Sequence, residues 1–472
     1  MASYITHPLA YGSDLLRNAL GNVTWGPALS ISKATMASLF SRIETGTLIV
    51  DDQTPGGKKS AYGQRMEKGS SIHTNGVNGH SKKGGKIGAV EVVIHKEAFW
   101  VRLFLFADMG FAESYMLGEF ECSDLTKFFE LFILNRNQLA NATTLTSSIA
   151  GTITGLARST NTLSNSLLNV SAHYDISNEM FAAFLSDDMT YSCPIWRPHS
   201  SADEEEESLE AAQMTKLHRF IDGAHIKPTD HVLEIGTGWG SFAIEAVKKT
   251  GCRVTSLTLS IEQKGLAEKR ISAAGFEDKI EVKLMDYRAL PIPRVPYDKV
   301  VSIEMLEAIG REYLETYFAC IHRLLKKDGI AVFQCITMPE GRYDGYAKGE
   351  DFIRKYIFPG GHLPSITQLV DNITKGSEGT LVIERIENIG GHYAKTLRLW
   401  KEKFMANFES RIRSALMLEH KNMGDREVEV FRKKWEYYFC YCEAGFATKT
   451  LGDAIITVGR EGAMELMEGI QL

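Results

Sequence analysis

The chain has 472 residues, with 53 Lys and Arg against 59 Asp and Glu, 44% hydrophobic and 24% charged. That length predicts roughly two to three domains with an ample core, and the ordinary composition excludes wholesale disorder, collagen-like repeats and coiled-coil arrays. A net charge of −6 argues against a nucleic-acid partner, and seven irregularly spaced cysteines without a C-x-x-C pair read as reduced intracellular thiols.

The N-terminus, MASYITHPLAYGSDLLRNAL, lacks a basic start followed by an apolar run, so no secretory signal is expected. TGTLIV (45–50) and AVEVVIH (89–95) read as strands of a small N-terminal α+β domain over 1–135. Between them, 51–86 is rich in Gly, Ser and Lys and reads as a mobile insertion. Its basic excess suits either a solvated loop or an anionic lipid surface. The best apolar stretch, AFWVRLFLFADMGFA (98–112), is broken by Arg102 and Asp108 and falls short of the ~18 apolar residues of a spanning helix. The expectation is a cytoplasmic protein that touches a membrane surface without crossing it. SDLTKFFELFIL (123–134) predicts a helix with Ser123 as N-cap. Polar 136–170 reads as a linker, and the acidic run DEEEESLE (203–210) as a solvated helix start.

From about 215 the pattern becomes regular. HVLEIG (231–236), RVTSLTLS (253–260), KIEVKLMD (279–286), YDKVVSIE (297–304) and GIAVFQCIT (329–337) are five apolar strands alternating with amphipathic helices. That alternation implies βαβ units, hence a doubly wound, Rossmann-like α/β domain over 171–460 with a tail at 461–472. Ligands of such domains sit at the strand C-termini.

The first strand turn reads Glu234-Ile235-Gly236-Thr237-Gly238-Trp239-Gly240-Ser241. Gly236, Gly238 and Gly240 let the backbone turn tightly and approach a ligand at the next helix N-terminus. A dinucleotide fingerprint, G-x-G-x-x-G, would put its third glycine at 241 and an acid at the end of the second strand; Ser241 and Thr258 to Ser260 stand there instead. Glu234 before the turn suits a ligand ammonium. Together these favour S-adenosylmethionine over NAD, the plainer reading being a packing turn. Asp286 and Tyr287 offer an acid and an aromatic face for adenine, or ordinary turn chemistry.

These residues carry a family resemblance. HYDISNEMFAAFLSDDMTYSCPIW (173–196), VLEIGTGWGSFAIE, LTLSIEQ, DYRALP, YDKVVSIEMLEAIG, FIRKYIFPGGHLPS, HYAKTLRLW and WEYYFCYCEAGF resemble, in order, the cyclopropane-fatty-acyl-phospholipid and mycolic acid cyclopropane synthases. WVRLFLFADMGFAESYMLGEF is similar to that family's N-terminal domain, and the versions around 304 and 334 look closer to plant-like members. The resemblance implies a class I S-adenosylmethionine-dependent methyltransferase domain behind the smaller N-terminal one. By position, it implies Tyr191 and Ser192 at the cofactor's methionine end, the glycine turn beneath it, Thr258 and Gln263 at the ribose and Tyr287 at adenine. It also implies a bicarbonate ion held at Cys193, Glu307, Gln334, Ile336 and Tyr393. Gln334 replaces a His of the bacterial enzymes, Ala308 and Thr237 replace a frequent His and Cys, and Glu304 stands where those enzymes carry a small residue. Gln cannot carry a proton as His⁺ does, and sequence alone gives Glu304 no role.

The implied chemistry explains these residue types. An isolated alkene is a poor nucleophile and must be held in line with an activated methyl away from water. Methyl transfer leaves a carbocation that aromatic faces stabilise. Ring closure then removes a proton from the new methyl, for which bicarbonate held by a backbone N–H, a carboxyl and a Tyr hydroxyl is a small general base. The plainer readings remain: Cys193 as a buried thiol, Cys440 and Cys442 as core or metal ligands, the aromatic run at 435–441 as core or acyl-channel lining, His173 and His392 as structural, and PGGHLPS (359–365) as a turn or a gate. The expected function is methylene addition across a cis double bond of an unsaturated phospholipid acyl chain at a membrane surface. The alternatives are a methyl-branched lipid or another unsaturated acceptor, and a non-catalytic lipid-binding protein. The resemblance further implies a homodimer formed through the N-terminal domain.

Overall fold

The structure is a computed structural model that describes residues 22–63, 88–139, 177–198, 206–420, 423–468 and 470–471. It divides into two compact units, Met1–Asp175 with Leu416–Thr448, and Ile176–Ala415 with Lys449–Leu472. The second segment of the first unit departs from the sequence reading, which placed all of 171–460 in one domain.

In the first unit β1 (Thr47–Asp52), β2 (Lys59–Gly63), β3 (Ala89–Ile94) and β4 (Phe120–Cys122) form a sheet of order β2-β1-β3-β4. β1 and β3 run parallel, and the outer pairs are antiparallel. β2 lies inside the stretch 51–86 read as a loop. A polar, half-exposed edge strand has no apolar alternation to announce it, and only pairing with β1 reveals it. Residues 64–87 of that stretch, most of the linker and His173 lie outside the described residues. The helix Leu125–Leu134 starts one residue later than expected, because Asp124 rather than Ser123 accepts the N–H of Lys127. Asn135 ends it with every polar atom used: its amide donates to the carbonyls of Thr45 and Leu131, and its oxygen accepts from Glu44 and Thr45.

The aromatic run at 435–441 is helical, within Asp425–Ala447. Tyr437 packs on Phe129 and Phe111, Phe111 stacks on Phe128 at 4.4 Å, and Glu443 accepts the hydroxyl of Thr126 at 3.0 Å. Those contacts are what place Leu416–Thr448 in the first unit.

The second unit is built on a seven-stranded sheet: β5 (His231–Ile235), β6 (Arg253–Thr258), β7 (Ile280–Leu284), β8 (Tyr297–Ile303), β9 (Leu325–Thr337), β10 (Leu381–Asn388) and β11 (Gly452–Arg460). Its order is β10-β11-β9-β8-β5-β6-β7. β7 to β9 form a parallel block containing the five expected strands, and β11 runs antiparallel to both neighbours. Burial on both faces explains the continuous apolar runs of β5, β8 and β9. β10 and β11 were not anticipated, although β11 carries an equally continuous run at Ala454–Val458. The tail is anchored too: Glu465, in a 3₁₀ turn over Met464–Met467, pairs with Lys299 and Lys227.

Chain order reverses between β5 and β8, from which the sheet grows in opposite directions. This is the switch point at which an open α/β sheet leaves a crevice beyond its strand ends.

Packing across the sheet's flanking helices is close. A Cβ on Gly376 would stand 2.5 Å from the carbonyl oxygen of Glu315 and 2.8 Å from the amide of Ala319, both backbone atoms. Gly376→Ala should therefore cost about 1–3 kcal/mol through forced helix displacement, lowering the thermal midpoint by circular dichroism. Gly341→Ala, in a helix where nothing lies within 4 Å of the added carbon, should leave the midpoint equal or higher. Equal behaviour of the two variants would contradict this packing.

Candidate functional site

The turn after β5 has left-handed backbone at each glycine, with φ of 103° at Gly236, 51° at Gly238 and 87° at Gly240. The N–H groups of Gly236 and Thr237 both donate to the carbonyl of Leu257, which ties the turn to the end of β6. Gly240 caps the helix Ser241–Thr250. A side chain on Gly238 would meet nothing within 4 Å, whereas one on Gly236 would meet Met305. Beneath the turn, Glu234 is buried and accepts the hydroxyl of Ser256, which also bonds Thr237 at 2.6 Å. Burial pushes its carboxyl up to about 8, opposed by the Ser256 hydrogen bond and the nearby Lys216.

The other residues expected at a cofactor divide. Thr258 and Gln263 are brought together, the hydroxyl donating to the amide oxygen at 2.9 Å just past β6. Tyr191 packs against Phe181 and Trp400 and keeps accessible surface. Ser192 is buried, its hydroxyl accepting from Lys216 at 2.6 Å. Asp286 caps the turn at Tyr287–Ala289 and pairs with Arg288, which holds its carboxyl below the usual range. Tyr287 packs edge-on against Tyr317 in the core.

The five positions expected to hold bicarbonate split into two sets. Glu307 Oε1 accepts the backbone N–H of Ile336, so those two meet each other. The other three converge on Glu304. The backbone N–H of Cys193 donates to its Oε1 at 2.7 Å, Gln334 Nε2 donates to the same oxygen at 2.7 Å, and the Tyr393 hydroxyl donates to Oε2 at 2.8 Å. The Cys193 thiol turns away, towards the carbonyls of Pro194 and Ile389, and burial pushes it well above its usual range. Gln334 also reaches Asp453 Oδ2 at 2.7 Å and the Cys193 carbonyl at 3.2 Å, giving three acceptors for two amide hydrogens.

Glu304 follows β8 with φ of 46°, unusual for a residue with a side chain. Its N–H donates to the Gln334 carbonyl at 2.9 Å, fixing the residue to β9. Burial, then the neighbouring Asp453, raises its carboxyl well above the ordinary range. Asp453 is pushed up to about 7 and Glu307 to about 8, chiefly by burial. Lys216, fully buried, faces Glu304, Asp188 and Asp453, and desolvation lowers its pKa.

Sequence reasoning assigned no role to Glu304, Lys216 or Asp453. A signal existed for each: Glu304 and Glu234 both punctuate apolar strands, Lys216 falls at helical spacing with buried Ala212 and Phe220, and Asp453 opens the apolar run of β11. His392 is structural, its Nδ1 accepting the Trp196 N–H at 3.1 Å. The loop 359–365 is bonded in place, the His362 N–H donating to the Glu307 carbonyl at 2.8 Å and its ring meeting the Tyr343 hydroxyl. Among the described residues no group of His, Cys, Asp and Glu is disposed to hold a metal ion.

A model of the family described as mycolic acid cyclopropane synthetase matches residues 161–453. A tuberculostearic acid methyltransferase of Mycobacterium tuberculosis is 37% identical over 364 residues, spanning 75% of this chain and 79% of its own. A cyclopropane-fatty-acyl-phospholipid synthase of Escherichia coli is 31% identical over 365 residues, spanning 76% and 85%. Among solved structures, a mycolic acid cyclopropane synthase complexed with SAH and CTAB superposes with a TM-score of 0.51 at 27% identity, over 62% of this chain and 98% of that one.

The buried carboxyls have a titration signature. Glu307 rises from 4.5 to about 8, so the folded chain holds a proton that the unfolded chain releases between those values. The resulting stability is present below the unfolded pKa and is lost as pH rises through the folded one. Glu307→Gln keeps an oxygen for Ile336 and removes the titration. Its thermal midpoint relative to the unaltered chain should climb from pH 5 to pH 8; a constant difference would remove the raised pKa.

Proposed function

The chain belongs to the mycolic acid cyclopropane synthetase family, and on that premise we propose that it transfers the methyl group of S-adenosylmethionine to a cis double bond of an unsaturated phospholipid acyl chain. Its second unit has the class I S-adenosylmethionine-dependent methyltransferase fold, and it is an enzyme of that kind. The observation that carries the reading is the meeting, at the β5–β8 switch point, of an open glycine turn with a buried polar cluster walled by aromatic rings.

The residues present fit the methyl donor. Gly238 leaves room above the turn, Glu234 stands below it to meet an ammonium, and the Thr258–Gln263 pair offers hydroxyl and amide groups to a ribose. Asp286 and Tyr287 border the same sheet end, where adenine would lie. When bound, the sulfonium supplies the electrophilic methyl. Tyr191 and Tyr393 both pack on Trp400, at 5.1 and 5.7 Å between ring centroids. Their faces stabilise a developing carbocation without attacking it, at about 0.5–2 kcal/mol each. The alkene's π electrons form the new C–C bond as the sulfonium bond breaks, and the cation is left on the neighbouring carbon. Loss of a proton from the added methyl with closure of the third bond gives a cyclopropane. A hydride shift before proton loss gives a methylene branch instead.

The second reading, a methyl-branched acyl product, is favoured by the 37% identical relative named as a tuberculostearic acid methyltransferase. In either case the acceptor lies in a lipid phase, and no described helix is long and apolar enough to cross a membrane. Leu259, Ile261 and Leu284 stand exposed where β6 and β7 end, which suits peripheral contact with a lipid surface.

Purified protein incubated with methyl-labelled S-adenosylmethionine and monounsaturated phospholipid vesicles should add one CH₂ to the acyl chains, with strongly upfield ring protons by NMR. Surviving vinyl protons at the same mass select the branched product; absence of label from every lipid refutes the proposal. Tyr393→Phe should reduce turnover by about 10²-fold, as for loss of one donor to a catalytic anion, while calorimetric affinity for S-adenosylmethionine changes little. Equal losses in both would place Tyr393 outside the chemistry.

A further inference from the structure

The resemblance of this chain to bicarbonate-using synthases meets a disagreement at the site itself. An exchangeable anion held between the Cys193 N–H, residue 334 and the Tyr393 hydroxyl needs those donors free. Here all three are already directed at one protein carboxylate, at 2.7 to 2.8 Å. The donor set does not fit an additional small anion, and no step is derived through one.

We propose that Glu304 is the general base of the reaction, its own carboxylate taking the proton that leaves the newly added methyl group. This rests on the methyl-transfer reading above. In the step, the methyl C–H bond breaks, its electron pair closes the third C–C bond at the cationic carbon, and the proton passes to a Glu304 oxygen. The acid so formed gives its proton up to solvent after product release. Charge balances without any further reactant.

Four features support the assignment. Both Glu304 oxygens carry hydrogen bonds that orient the group, and part of the residue's surface remains accessible despite its enclosure. The carboxylate lies one hydrogen bond from Tyr393, whose ring adjoins Trp400 and through it Tyr191, where the cation is placed. Glu304 and Asp453 are close enough to repel one another when both are ionised. Three fixed donors converge on Glu304 and Lys216 faces the pair, which stabilises the ionised form of Glu304 within a coupled set of carboxyls that also includes Asp453. Lastly, burial raises the basicity of the resulting carboxylate, which suits proton abstraction.

Glu307 is the competing carboxyl, and it is placed differently: one oxygen is engaged by Ile336, and its Oε2 has no hydrogen-bond partner among the described residues. It serves as the internal comparison.

The first measurement needs no product: ¹³C-bicarbonate titrated into the intact protein saturated with S-adenosylmethionine. The unaltered chain should show no saturable binding, and Glu304→Ala, which opens the space, should bind bicarbonate saturably. Saturable binding to the unaltered chain at millimolar concentration would overturn the proposal, even if the acceptor lipid were unidentified and the reading above had failed. With the active lipid, the unaltered chain should turn over equally in carbonate-free and bicarbonate-supplemented buffer. Glu304→Gln should lose at least 10²-fold in turnover while keeping its affinity for S-adenosylmethionine, and bicarbonate should restore part of the rate in Glu304→Ala. A Glu304→Gln rate within threefold of the unaltered chain, or a larger loss in Glu307→Gln than in Glu304→Gln, would move the base elsewhere.

Discussion

Ionisable groups buried or half-buried at the C-terminal end of a parallel sheet are the constraint on which the second unit depends. Glu304, Asp453, Glu307 and Glu234 come from β5, the turns after β8 and the start of β11, and one fully buried lysine faces them. Carboxyls removed from water are costly unless hydrogen bonds and opposite charge offset the lost solvation. The fold meets this by converging donors: the Cys193 backbone, the Tyr393 hydroxyl, the Gln334 amide and the Ser256 hydroxyl. Each comes from a different segment, so none of these elements can shift without exposing an unpaired charge. Strand order, the glycine turn and the helix carrying Lys216 are thereby locked to one arrangement.

The parallel block was legible because strands buried on both faces leave continuous apolar runs, and glycines with φ above zero leave a recognisable turn. Its two additional strands were less so. β10 is largely exposed and reads as polar, while β11 joins the sheet only after the long excursion of Leu416–Thr448 into the first unit. β2 was hidden for a related reason, since an edge strand of Lys, Ser, Ala, Tyr and Gly has loop composition and acquires its meaning from β1.

At the site, the glycine turn and the Thr258–Gln263 pair lie close in sequence and could be read from spacing. The polar cluster could not. Its members are separated by up to 260 positions, from Cys193 to Asp453, and a lone acid ending an apolar strand has no partner in sequence to explain it. Asp286 shows the converse: its placement before an aromatic suggested a ligand, and in the structure its carboxylate is already paired with Arg288. Chemistry carried by a single residue type at one position is ambiguous; chemistry carried by convergent donors is visible only in three dimensions.

The left-handed backbone at Glu304 has an energetic consequence. With φ of 46°, position 304 is a seat that glycine fills without strain, while a side-chain-bearing residue there costs about 1–3 kcal/mol. The bend after β8 is nevertheless occupied by the longer of the two acidic side chains. In the proposed role, a carboxylate tethered at such a seat differs from a free anion, which is present only in proportion to its concentration outside. Tethering fixes the local concentration of the base regardless of the surrounding medium. In that role residue 304 and the donors that hold it act as one unit.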